Sequence, residues 1–137
     1  MAIKFSVEMR NALVSQIETT IGVTPRLIFF SGTVPANTTV AGGTVIATMV
    51  LPSDWLTTPA VNGSVSLVGT WTTTATAAGT ISYYRIYDLD GIASGICHEQ
   101  GSVSATGGGG DITLDSVNAA TGQTITMITK TYTAAGA

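Results

Sequence analysis

Charged residues are scarce in this chain, and their scarcity excludes one class of function at once. Asp, Glu, Lys and Arg make up 9% of the 137 residues, whereas ordinary domains carry roughly 25%. The net charge is −3. The five cations are scattered along the chain, at Lys4, Arg10, Arg26, Arg85 and Lys130. A protein that binds nucleic acid needs a basic face to neutralise phosphates, so no nucleic-acid partner is expected.

Cysteine and histidine are almost missing, which leaves little material for catalysis or metal binding. Cys97 and His98 are the only residues of their types. One cysteine forms no intrachain disulfide and no Cys-based zinc site. Neighbours on a strand point to opposite faces, so these two side chains do not form a thiolate–imidazole pair. We predict that the protein is not an enzyme and has no catalytic, cofactor-binding or metal-binding residue. A partner for His98 from a distant strand is left open, and Cys97 is expected to be a buried free thiol.

The first 22 residues lack the uninterrupted apolar run of a signal peptide or a membrane span. Glu8, Arg10 and Glu18 interrupt the apolar residues there. We therefore expect no membrane contact and synthesis in the cytoplasm.

Apolar residues, in contrast, are abundant. Hydrophobic side chains make up 45% of the chain, and the mean hydropathy is +0.41. Monomers need surface charge to stay apart and rarely tolerate large apolar patches. We predict a homo-oligomer in which neighbouring subunits cover much of the surface. The alternative is a monomer kept in solution by Thr and Ser hydroxyls.

One helix is predicted at the start of the chain, within residues 1–22. Ser6 can cap its N-terminus, and Gly22 can end it. An apolar stripe at helical spacing runs along it: Met9, Leu13, Ile17 and Ile21. Such a stripe must pack on something, either the sheet of its own domain or a neighbouring subunit. The sequence leaves both readings open.

From residue 25 onward the pattern changes to short strands separated by turns. Roughly seven or eight strands occur at the spacing typical of a sandwich or barrel. No helical pattern recurs between them, so parallel crossover units are not expected. We predict an all-β fold, an antiparallel β-sandwich of jelly-roll type over residues 25–137. With the N-terminal α-helix it forms a single domain of residues 1–137.

Four consecutive glycines, residues 107–110, raise the question of a phosphate-binding loop. Such a loop requires a lysine and a hydroxyl after its last glycine, and then a helix. Here Asp111 and a strand-like run follow. We predict a wide turn, or a place where another chain packs tightly.

Residues 88–91 read DLDG, which is similar to the start of a calcium-binding loop. Glu99 would then occupy the twelfth position, but the glycine comes too early and few oxygen ligands lie between. Asp-Gly between two alternating runs indicates a hairpin turn instead. A weak surface calcium site is the alternative.

Tyr83, Arg85 and Tyr87 share one face of a predicted strand. Such a face suits a core or subunit contact, and less often a glycan. We therefore take Tyr83 and Arg85 as candidate interface residues, together with Met9, Leu13 and Ile17 of the helical stripe.

Several motifs occur in an order typical of one protein family. In the first half they are RNALVSQIETTIG, SGTVPA and LPSDW; in the second they are GTW, AAGTISYYRIYD, HEQGSVSATGGGGDITLD and GQTITM. Their order resembles that of small structural proteins of tailed bacteriophages and prophages. The likeness spans nearly the whole chain, and TGGGGDITLD is its most specific part. The chain departs from the pattern at VPANTTVAGG and DLDGIASGIC.

The resemblance implies a non-enzymatic component of the virion that acts in many copies. The resemblance further implies a capsid decoration or cement protein that acts as a dimer or trimer and binds the major capsid protein or other virion proteins. It would stabilise the mature shell by mass action and avidity. The alternative is a tail-tip or fibre module that binds a host-surface glycan or another tail protein. That module would need an exposed aromatic shelf around Trp55 or Trp71.

Overall fold

The structure is a computed structural model that describes residues 2–137, and it is mostly β-sheet preceded by an N-terminal helix. The helices are α1 (Val7–Ile21) and α2 (Gly91–Ser94). The strands are β1 (Arg26–Phe30), β2 (Val45–Val50), β3 (Ser64–Ser66), β4 (Trp71–Thr74), β5 (Gly79–Thr80), β6 (Tyr83–Tyr87), β7 (Cys97–Ala105), β8 (Ile112–Leu114), β9 (Asn118–Ala119), β10 (Thr124–Met127) and β11 (Thr131–Thr133). No helix within residues 2–137 is long and apolar enough to cross a membrane.

Helix α1 begins and ends where the sequence predicts. The Ser6 hydroxyl accepts a hydrogen bond from the Met9 N–H at 3.2 Å. Gly22 has a φ of 91° and donates its N–H to the Glu18 carbonyl at 2.9 Å. A side chain at this φ would be strained, which explains the glycine.

Five strands form the main sheet, in the order β2-β1-β6-β7-β8. The first three ladders are antiparallel. In the fourth, β7 and β8 run parallel, with Val103 opposite Ile112. The prediction of a purely antiparallel fold is therefore wrong at this edge of the sheet.

The glycine run explains the parallel pair, which ordinarily needs a much longer connection. Gly107 and Gly109 have positive φ values of 88° and 78° and turn the chain back beside β7. A Cβ on Gly110 would lie 2.8 Å from the backbone nitrogen of Ser104. The Ser104 hydroxyl accepts a hydrogen bond from the Gly110 N–H at 2.9 Å. The run is a turn, as the sequence predicts, and Gly108 and Gly110 lie close to Ser104 of the same chain.

Asp111 secures the end of that turn. Its carboxylate accepts hydrogen bonds from the Ser102 N–H at 2.9 Å and from the Ser102 hydroxyl at 3.0 Å. These bonds lower the pKa of Asp111. The position that a phosphate would approach therefore carries a negative charge.

Three two-stranded sheets complete the fold: β10-β4, β11-β3 and β5-β9. In the first two, β3 is followed along the chain by β4, and β10 by β11, so the two sheets continue one another. We call these two sheets together the ribbon. Its inward side chains, Val65, Trp71, Ile125 and Met127, are buried in the main core. Its outward hydroxyls pair across the strands, Ser64 with Thr133, Ser66 with Thr131 and Thr72 with Thr126. Alternation along SVSLVGTW, residues 64–71, predicts that Val65, Leu67 and Trp71 face the same side, and Val65 and Trp71 are both buried in the main core. Residues 72–74 read from the sequence as part of a flexible connector, but they belong to β4.

The main core lies under one face of the main sheet and holds both tryptophans. Trp55 and Trp71 are fully buried, with ring centroids 5.9 Å apart. The Trp55 indole N–H donates to the Gly22 carbonyl at 2.9 Å, and its backbone N–H donates to the Glu18 carboxylate at 2.9 Å. These bonds attach the C-terminal end of α1 to the core. An exposed aromatic shelf around Trp55 or Trp71 does not form.

Residues 31–44 cover the opposite face of the main sheet. A second buried cluster lies beneath them and consists of Ile28, Phe30, Tyr83 and Tyr87. Phe30 and Tyr83 stack with their ring centroids 4.8 Å apart. The Tyr83 hydroxyl donates to the Gly42 carbonyl, so it also holds the covering segment.

Arg85 is the main anchor of this covering segment and is fully buried. Its Nε donates to the Gln100 side-chain oxygen at 2.9 Å, and its Nη1 donates to the Tyr87 hydroxyl at 3.2 Å. Its Nη2 donates to the carbonyls of Asn37 and Val40 at 3.0 and 2.9 Å. Within residues 2–137, no carboxylate forms an ion pair with Arg85. Carbonyl dipoles therefore stabilise its charge.

Tyr83 and Arg85, candidate interface residues from the sequence, are fully buried within the chain. Of the two contacts that the sequence allowed for this face, core or subunit, the face makes the core contact. Both side chains point away from the main core, as the strand alternation predicts, but residues 31–44 lie over them. The sequence of that segment, with three glycines, four threonines and one proline, indicates turns but does not reveal which face of the sheet they cover.

The connection between β6 and β7 is a hairpin, but a longer one than Asp-Gly predicts. The one-turn helix α2 lies within it. The Asp88 carboxylate accepts hydrogen bonds from the N–H groups of Asp90 and Ile96, both at 3.2 Å. Both oxygens of the Asp88 carboxylate are thus hydrogen-bonded to backbone N–H groups of the same connection. Within residues 2–137, no group of three or more His, Cys, Asp or Glu side chains is placed to hold a metal ion.

We expect Arg85→Lys to lower the free energy of unfolding by about 3 kcal/mol, because an ammonium cannot replace the planar set of guanidinium donors. Residues 31–44 should also become sensitive to proteases. Urea denaturation and limited proteolysis measure both effects. Arg26→Lys is the matched control, since that guanidinium is partly exposed and donates to the nearby Thr24 carbonyl. Equal stability and equal protease resistance in both variants would contradict the anchoring role.

Candidate interaction surface

The predicted apolar stripe of α1 divides into a buried part and an exposed part. Ile21 is buried in the main core and Ile17 packs partly against it; Val14, which the predicted stripe does not include, is also buried there. Met9 and Leu13 are 49% and 48% exposed. The helix thus packs on its own domain through one edge of the stripe and presents the other edge outward.

A groove of about 520 Å³ lies between α1 and the sheet. Leu13, Ile17 and Ile21 line its helix side. His98 and Glu99 of β7 line its sheet side, together with Tyr132 of β11. The groove therefore brings Leu13 and Ile17 together with His98. Nothing in the sequence predicts that these residues lie near one another.

The floor of the groove is a polar cluster centred on Glu99. The Lys130 ammonium lies 2.9 Å from the Glu99 carboxylate. The hydroxyls of Tyr84 and Tyr132 donate to the same carboxylate. Lys130 also lies over both rings, 5.1 Å from the Tyr84 centroid and 4.6 Å from the Tyr132 centroid. Both carboxylate oxygens are thus engaged within the chain, which indicates a structural ion pair.

Burial sets the ionisation of the two tyrosines. Desolvation raises the pKa of Tyr84 and of Tyr132, and the negative charge of Glu99 raises both further. Both hydroxyls therefore stay protonated near neutral pH and act as donors to Glu99.

Cys97 is half-buried, less than the sequence predicts. Burial raises the pKa of its thiol. The sulfur lies 3.2 Å from the Glu99 carbonyl, to which it donates. A thiol with a raised pKa is a poor nucleophile near neutral pH.

Sequence reasoning missed the Glu99–Lys130 pair and considered Glu99 only as a calcium ligand. A signal was present, because Glu99 shares a strand face with Gly101 and Val103 in a run that alternates toward the core. A charge in that register needs a partner. Nothing in the sequence identifies the partner as Lys130, which lies 31 positions away.

The chain matches no protein-family model, no curated protein and no solved structure. The relationship to phage structural proteins therefore stays a prediction from motifs.

Glu99→Gln should lower the free energy of unfolding by about 3 kcal/mol, because the largely buried Lys130 loses its counter-charge. The double variant Glu99→Gln/Lys130→Met should recover most of that loss. Chemical denaturation of the single and double variants measures the coupling. Asp90→Asn, which removes an exposed carboxylate, is the control and should change stability by less than about 0.5 kcal/mol. A single variant as stable as the control would show that the pair is dispensable.

Stability should also fall in alkali. Above a pH of about 10 the unfolded chain releases its tyrosine protons, whereas folded Tyr84 and Tyr132 keep theirs. Their contribution is therefore fully present below that pH and is lost as the pH rises. Tyrosinate absorbance of the folded protein should stay below the value for all four tyrosines until circular dichroism reports unfolding. Complete ionisation in a folded chain would contradict this prediction.

Proposed function

We propose that this chain is a non-enzymatic structural protein of a bacteriophage virion, a capsid decoration or cement protein that stabilises the mature shell. The observation that carries the proposal is the outward line of Met9 and Leu13 beside the α1–β7 groove. It occurs in a chain with 9% charged residues. The motif order described from the sequence adds the phage context.

The strength of such a contact favours a role in many copies. Fully burying one Met or Leu side chain contributes about 1.5–3 kcal/mol, and these two are already half-buried. Together they add roughly 2 kcal/mol per copy. A contact this weak holds a shell only when many copies act together, or when each oligomer binds through several subunits. We therefore include a dimer or trimer in the proposal, with the major capsid protein as partner and the virion as location.

A two-layered β-sandwich of jelly-roll type belongs to the same proposal. The main sheet would be one layer and the ribbon the other. Support comes from the main core, where Leu27 and Phe29 of β1 share one buried cluster with Trp71 and Ile125 of the ribbon.

The alternative is a tail-tip or fibre module that recognises a host glycan or another tail protein. Its glycan-binding form needs an aromatic shelf at the surface. Because Trp55 and Trp71 are both fully buried, the cement role has the better support.

The double variant Met9→Asp/Leu13→Asp should lose binding to shells while its circular dichroism stays unchanged, because both side chains lie outside the core. The measurement combines light scattering of the purified chain with mixing onto capsids stripped of their decoration protein. The unaltered chain should form a dimer or trimer, rebind the shell and raise its melting temperature. Thr19→Asp, on an exposed position of the same helix, is the control.

Shell binding by the double variant equal to that of the unaltered chain would contradict the role of this surface. A chain that ignores capsids and attaches to host cells would support the tail module instead.

A further inference from the structure

Strands β8 and β10 each have one edge without a strand partner in the described part of the chain. β8 is the last strand of the main sheet and pairs with β7, while β10 pairs with β4. Across residues 2–137, no backbone hydrogen bond joins β8 to β10. An unpaired edge is a template for an additional strand.

On β8, the backbone groups of Thr113 face this open side. The Leu114 carbonyl accepts a hydrogen bond from the N–H of Thr106, which directly follows β7, at 3.0 Å. Leu114 therefore directs its backbone toward β7. Because successive residues of a strand alternate, the N–H and C=O of Thr113 point the other way.

On β10, the same reasoning applies to Thr126. Ala75 donates its N–H to the Gln123 carbonyl at 2.8 Å, just before the β4–β10 ladder begins. Because the direction of the backbone groups repeats every second residue in a strand, those of Ile125, two residues after Gln123, also point toward β4. Those of Thr126 point away from it.

Three adjoining cavities separate the two edges, and together we call them the β8–β10 slot. Their volumes are about 280, 400 and 260 Å³. The first is lined by residues 110–113 and 129–131, and the third by residues 114–116 and 123–126. Thr113 and Thr126 both line the middle one. From the first cavity to the third, residue numbers rise on the β8 side and fall on the β10 side. β8 and β10 therefore run in opposite directions along the slot.

The slot carries a carboxylate on each side of its centre, and threonines and two apolar side chains line the middle. Asp111 lines the first cavity, and Asp115 lines the other two. Lys130 also reaches the first cavity, but its charge is matched by Glu99. Leu114 and the exposed Ile128 line the middle together with four threonines, at positions 106, 113, 126 and 129. An occupant that complements these features has cationic ends, apolar and hydroxyl side chains between them and free backbone donors and acceptors.

We propose that the β8–β10 slot binds an extended, basic polypeptide segment of a partner protein as an added strand. The segment hydrogen-bonds to Thr113 on one side and to Thr126 on the other, and so joins the main sheet to the ribbon. Its terminal cations pair with Asp111 and Asp115. The inference rests on the two strand edges and does not depend on the virion role.

The test uses the full chain and a synthetic peptide of about seven residues, an ordinary strand length. The peptide alternates valine and threonine and carries a lysine at each end. Nuclear magnetic resonance should show shifts and slower hydrogen exchange at the Thr113 and Thr126 amides. A peptide N-methylated at alternate residues should bind at least ~10-fold more weakly, because it lacks the backbone donors. A peptide with glutamate ends should also bind more weakly.

Thr126→Pro removes the N–H that faces the slot and leaves the β4 ladder bonds in place, so it should abolish peptide binding. Thr72→Val, on the outward side of the same ribbon, is the control and should bind like the unaltered chain. If Thr126→Pro does not fold, the N-methylated peptide still decides the question on the unaltered chain. Undisturbed Thr113 and Thr126 amides, or equal binding of both peptides, would overturn the proposal. Loss of self-association in Thr126→Pro would also overturn it, since a second copy would then fill the slot.

Discussion

Strand β6 is buried on both of its faces, and the rest of the fold is arranged around that constraint. Tyr84 and Ile86 point into the main core, while Tyr83, Arg85 and Tyr87 point into the opposite side. A strand of this kind needs a cover on each face. The ribbon and α1 provide the first cover, and residues 31–44 provide the second. The irregular segment before β2 therefore closes the second face of β6.

The two faces accommodate buried cations in different ways. Lys130 meets the Glu99 carboxylate and the Tyr84 hydroxyl, so its charge is neutralised at the floor of the groove. Arg85 instead directs its donors at carbonyl oxygens of the covering segment. The planar guanidinium suits that task, because its donors diverge toward several acceptors at once. In a chain with so few charges, both cations hold distant segments together.

The surface combines features that suit assembly. Met9 and Leu13 remain half-exposed beside the groove, and the ribbon presents hydroxyls that are paired with one another. These hydroxyls already have hydrogen-bond partners within the chain, and there are few charges to desolvate. Such a surface can be covered by a partner at low cost in solvation. The open edges of β8 and β10 add a site whose recognition depends on backbone geometry.

The sequence by itself determined the limits of α1, the inward register of Val65 and Trp71 and the turn formed by residues 107–110. Each of these depends on local chemistry: a capping hydroxyl, a glycine at positive φ or strict alternation along a strand. Only the tertiary structure decided that β8 runs parallel to β7, that Tyr83 and Arg85 are covered, and that Glu99 pairs with Lys130. Those outcomes depend on which distant segments meet. Alternation specifies that a residue faces one side of a sheet, but the chain's path in space determines what lies there.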